Sequence, residues 1–93
     1  MSTAIDNEQL DKARAEELIS TVPLIPEVES IDVELYEDHT GDPSFQLIFH
    51  VRHDVKIDDA FMDRFLRFSA IVQTKILHSD LNRFPYTRLE QAA

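Results

Sequence analysis

VESIDVELYEDHTGDPSFQLIFHVR, residues 28–52, is the stretch whose reading decides the fold. In its first half Ile31, Val33 and Leu35 alternate with Asp32, Glu34 and Tyr36. In its second half Phe45, Leu47, Phe49 and Val51 alternate with Gln46, Ile48, His50 and Arg52. Successive strand side chains point to opposite faces, so this period of two predicts two strands with one apolar face and one mostly polar face. Gly41, the chain's only glycine, supplies a positive φ to the connection, and Pro43 fixes the entry to the second strand. The reading is an antiparallel hairpin.

An apolar sheet face needs a cover, and the sequence supplies one directly. Asp58 or Asp59 caps a helix that runs through Leu77. At about 100° per residue, Phe61, Met62, Phe65, Phe68, Ser69, Val72 and Ile76 lie within about 60° of Phe65, whereas Asp63, Arg64, Arg67 and Lys75 lie well off that stripe. The first stripe is core packing rather than a cofactor box. A second, narrower stripe of Leu66, Ala70 and Leu77 with Gln73 runs down one flank. It is expected to be covered in part by the N-terminal helix and in part by a partner.

Upstream, Asp6 or Asn7 caps a helix to about Thr21, with Ala15, Leu18, Ile19 and Val22 on one side. Its first two turns offer only Leu10 and Ala13, so it should dock through its second half. Val22-Pro23-Leu24-Ile25-Pro26 ends it as a stiff extended connector. Downstream, Asp80-Leu81-Asn82 breaks the long helix, and Phe84 to Leu89 is too apolar for a free tail. Pro85 excludes a central strand and allows an edge one, so this segment is either a third strand or an arm laid across a neighbour. A lone two-stranded sheet is marginal in water, which favours either outcome or a dimer joined at sheet edges. The fold class is α+β in the order α-β-β-α-(β), one domain over 1–93, with 1–6 and 91–93 expected to be disordered.

Composition agrees with a folded chain: of 93 residues, 43% are hydrophobic and eight are aromatic. There is no cysteine, which removes disulfide and thiol chemistry and fits a reducing compartment. The N-terminus lacks a basic and apolar leader, and no run approaches the roughly 18 apolar residues of a membrane span. A cytoplasmic location without membrane association is expected. The formal charge of −9 is uneven: residues 1–50 hold twelve acids and two bases, residues 51–93 six acids and seven bases. Nucleic-acid binding neutralises phosphates with Lys and Arg, so this surface argues against it and suits a basic protein partner.

The residues with chemical potential read as structural. Glu37, Asp38, His39 and Asp42 crowd the hairpin loop, yet they match neither the alternating oxygen ligands of a calcium loop nor the spacing of a zinc site. His50 shares a face with Asp32 and Glu34, where a register placing Asp32 opposite His50 makes a cross-strand charge pair. His53 follows the strand, and His78 stands near a helix C-terminus, where an imidazolium is mildly favoured. No nucleophile is placed beside them, Ser69 lies inside a helix stripe, and one glycine cannot build a phosphate cradle. No catalytic, metal or cofactor residue is assigned.

The strand ending in Asp38-His39-Thr40-Gly41-Asp42-Pro43, the second apolar strand, the long helix and the closing Phe84-Pro85-Tyr86 resemble small bacterial proteins of unknown function. These share a D-x-x-G-D-P loop and a late P-Y. The resemblance spans Val28 to Leu89, leaves out the first helix, and brings no activity with it. The expected function is a non-enzymatic acidic interaction module, homodimeric or bound to a larger protein. Its partner interface would be Leu66, Ala70 and Leu77, with Phe84, Pro85 and Tyr86. The alternative is an antitoxin-like or inhibitory protein that masks a basic surface.

Overall fold

In a computed structural model, which describes residues 3–92, the alternating stretch forms β1 (Val28–Glu37) and β2 (Pro43–Val51). They pair antiparallel, with Ile31 opposite Phe49, Val33 opposite Leu47 and Leu35 opposite Phe45. Gly41 closes the turn at φ 86°, a value that an L side chain adopts only with strain. Near its start β1 slips by one residue, because Val28 and Ser30 face the adjacent Val51 and His50. The extra residue is a bulge at Glu29, and it keeps Val28 buried opposite buried Val51 where strict alternation would turn it outward.

The helix α2 (Asp59–Leu77) follows β2, and Asp58 caps it by accepting the Phe61 N–H at 2.8 Å. Phe61, Phe65, Phe68, Ser69, Val72 and Ile76 are its buried face, as the wheel predicts. Phe49 is the sheet's contact point, edge-to-face with Phe65 at 5.2 Å and with Phe68 at 5.8 Å. The chain then returns as β3 (Phe84–Gln91), which pairs parallel to β2 with Phe45 opposite Pro85 and Leu47 opposite Thr87. The sheet order is β1-β2-β3, so β2 is central and the C-terminal segment is an edge strand, where Pro85 is tolerated. The architecture is α+β, in the order α-β-β-α-β.

The N-terminal helix α1 (Thr3–Ser20) starts earlier than its Asp6 or Asn7 cap reading. Residues 3–6 belong to this helix and Gln91 to β3, within the stretches 1–6 and 91–93 expected to be disordered; residues 1, 2 and 93 lie outside those described. Gln91 is fastened, its Nε2 donating to the carbonyls of Arg52 and Val55 at 3.0 and 2.6 Å. Ala15 and Ile19 are buried in α1, with Leu18 and Val22 packed beside them, so docking is through the second half. Both helices cover the Phe45, Leu47, Phe49 and Val51 face, and the other face of the sheet carries no helix. No described helix is long and apolar enough to cross a membrane.

α1 reaches α2 from an unexpected side. Arg14 and Leu18 face Ile71, Thr74, Lys75 and His78 across a cleft, on the flank of α2 opposite the one carrying Leu66 and Leu77. The expectation that α1 covers part of the Leu66, Ala70 and Leu77 stripe is therefore corrected. The cause is the connector, which crosses to the start of β1 and places α1 over β1, at the far side of the sheet from β3.

Candidate interaction surface

With α1 elsewhere, the second stripe of α2 stays uncovered. Leu66 is 59% exposed and Leu77 50% exposed, with Ala70 exposed between them. Gln73, in the same stripe, donates through Nε2 to the Pro85 carbonyl at 2.9 Å. This bond places the stripe directly alongside β3. No strand pairs with the outer side of β3 among the described residues, so apolar side chains and a free strand edge adjoin.

Phe84, Pro85 and Tyr86 do not act as one patch. Pro85 is buried against the core and offers no side-chain surface, which removes it from the expected contact set. Phe84, 48% exposed, and Tyr86 lie on the sheet's uncovered face, where their rings meet at 4.8 Å and Tyr86 meets Tyr36 edge-to-face at 5.7 Å. The six sequence-predicted residues thus divide between the α2 flank, the core and the open face, with β3 as their common border.

The loop and the late P-Y meet in space. Asp38 accepts from the Thr40 hydroxyl at 2.6 Å, the Thr40 N–H at 2.9 Å, the Asp42 N–H at 3.0 Å and the Tyr86 hydroxyl at 3.1 Å. The Thr40 hydroxyl, with the backbone donors of Asp42 and Thr40 and the Tyr86 hydroxyl, holds the Asp38 carboxyl down at about 2. Tyr86 is correspondingly pushed up, mainly by the same hydrogen bond. Asp38 is a clamp between the hairpin loop and β3, and its oxygens are occupied by these donors. Among the described residues no group of three or more His, Asp or Glu is placed to hold a metal.

The remaining polar groups are likewise engaged. Asp32 faces Ile48 rather than His50, so the expected register is off by two; the pair forms on the diagonal, with His50 Nε2 donating to Asp32 Oδ2 at 2.8 Å. Ser69 donates to the Leu66 carbonyl at 3.0 Å and Ser44 to the Asp42 carbonyl at 3.2 Å, so both buried hydroxyls serve the backbone.

Sequence reasoning missed Ile71, exposed on the flank of α2 opposite the Leu66, Ala70 and Leu77 stripe. With Val22, Pro23, Ile25, Phe68 and the stems of Arg64 and Arg67 it lines an apolar cleft of about 370 Å³. Its signal was present as an unassigned isoleucine at helical spacing from Phe68, but the wall supplied by the Pro-rich connector is tertiary. Comparison of the chain with protein-family models, curated proteins and solved structures returns no match.

Proposed function

We infer that this chain is a non-enzymatic interaction module that joins a protein partner, a second copy of itself first of all, through the α2 flank and the outer edge of β3. One observation carries the reading: Leu66, Ala70 and Leu77 stay exposed in a single stripe immediately beside an unpaired strand edge. Contiguous exposed apolar surface marks an interface, and a free edge invites a further strand. In a two-fold pair the β3 edges would continue one sheet, and the two stripes would cover each other. The engaged hydroxyls of Ser69 and Ser44 and the satisfied oxygens of Asp38 support a binding role over a catalytic one.

The test is the solution mass of the pure chain by light scattering across a concentration series. Dimerisation gives twice the 10.8 kDa of one chain, and Leu66→Glu returns the mass to that of a monomer with an unchanged far-ultraviolet spectrum. A wild-type chain that stays monomeric up to about 1 mM, an affinity weaker than about −4 kcal/mol, removes the homodimer. A larger partner is then tested by whether Leu66→Glu abolishes co-purification from native extract.

A further inference from the structure

The opposite edge of the sheet is built differently. β1 offers ten residues of strand whose outer side pairs with nothing among the described residues, and α1 overhangs it on the core side. Two clefts open in sequence along this edge. The first, about 350 Å³, is lined by Ile19, Val22, Leu24, Ile31 and Val33 together with Glu16 and Glu29. The second, about 220 Å³, lies further along at the hairpin end, where Leu35, Tyr36 and Pro43 meet Glu8, Glu37 and Arg83. On the outer face Asp32 and Glu34 stand beside the same edge.

The charge here is available. Glu8, Glu16, Glu29, Glu34 and Glu37 form no ion pair among the described residues, and Asp32 is held only by His50. Arg83 lines the second cleft but is bound to Asp11. Acids alone can serve to guard an edge against aggregation. Guarding does not call for an apolar-lined cleft at Ile31 and Val33 with a second, more polar cleft two residues further along at Leu35, at the positions where alternate side chains of an added strand would point.

We propose that the β1 edge accepts an extended basic segment of a partner protein as a fourth strand, with its Lys or Arg side chains between the carboxylates and alternate apolar side chains in the two clefts. Main-chain hydrogen bonds to an edge supply affinity in such recognition, and pockets for alternate side chains supply selectivity. Carboxylates on both sides of the edge reject an acidic segment and steer a basic one. This surface is separate from the α2 and β3 flank, and neither reading depends on the other.

The test uses the full chain and a labelled peptide of about nine residues alternating lysine and valine, matched to the length of β1. Fluorescence anisotropy should detect binding that weakens at least about tenfold between about 50 and about 500 mM salt. Amide shifts should centre on β1 and the facing side of α1. The double variant Glu16→Lys/Glu34→Lys, which touches no core residue, should weaken binding at least about tenfold while leaving the chain's solution mass unchanged. Two N-methylated peptides, one methylated on its valines and one on its lysines, separate strand addition from general charge attraction. One of the two must lose at least about tenfold, because one set of peptide N–H groups faces β1. Equal binding of all three peptides, shifts centred on the α2 and β3 flank, or no binding at about 1 mM peptide overturns the proposal.

Discussion

Protonating Asp38 would oppose four donors at once, which is why its carboxyl is held at about 2. An unfolded aspartate titrates near 3.9, so the folded value is depressed and the sign follows. The clamp contributes fully above about pH 4, and its contribution is lost as pH falls toward 2. A carboxyl-detected NMR titration should place Asp38 well below the other aspartates, and Thr40→Val, which removes the leading donor, should raise its value. The loop's letters were legible in the sequence, but the late P-Y could not be connected with them, because Tyr86 is 48 residues from Asp38. A buried aromatic at helical spacing was easier to read. Phe65 sits between Phe49 and Phe61, and Phe65→Ala should cost about 3–5 kcal/mol in urea unfolding.

Among the elements, the hairpin and α2 could be read because their periodicities are local and strong, two in one case and 3.6 in the other. β3 was readable only as an edge candidate, since its pairing parallel to β2 is set by the return of α2 and not by its own eight residues. The Glu29 bulge was invisible for a related reason: alternation shows where a strand is regular, and a bulge appears only against its partner. The docking of α1 was misread because a wheel shows which α2 faces are free, not which one the connector can reach. Gln73 belongs to the exposed stripe by spacing, yet its side-chain amide holds β3 by donating to the Pro85 carbonyl. Gln73→Ala should therefore cost about 1 kcal/mol. Amide exchange should accelerate in β3 while β1 and the hairpin stay protected, and uniform acceleration across the sheet would show that the bond is not specific to this edge.

At the scale of the molecule, the charge asymmetry of the two halves becomes a spatial one. The acidic half forms α1, β1 and β2, and two bases of the basic half tie it down, Arg64 to Glu27 and Arg83 to Asp11, while Arg14 of α1 reaching Asp80 is the converse pair. Glu27 is held below its usual range first by the Arg64 hydrogen bond, so the connector is fastened to α2. Arg83 joins more elements than any of these. Its side chain, only 10% exposed, donates to Asp11 of α1 at 3.1 Å and to the Ser44 carbonyl of β2 at 3.4 Å, and its guanidinium lies 5.6 Å from the Phe45 ring centre. From the sequence this residue was only a base before an apolar segment, because all three of its partners are distant in the chain. Arg83→Ala should cost about 2–3 kcal/mol, since it removes hydrogen bonds to a charged partner and the packing of the stem on Phe45. The loss should be local before it is global: exchange in the first half of α1 rises ahead of α2, because Asp11 is the tie that holds that half while Ala15 and Ile19 anchor the rest. If α1 instead stays as protected as in the wild type, its first half is held by contacts other than Arg83, and the α1 overhang along β1 does not depend on this ion pair.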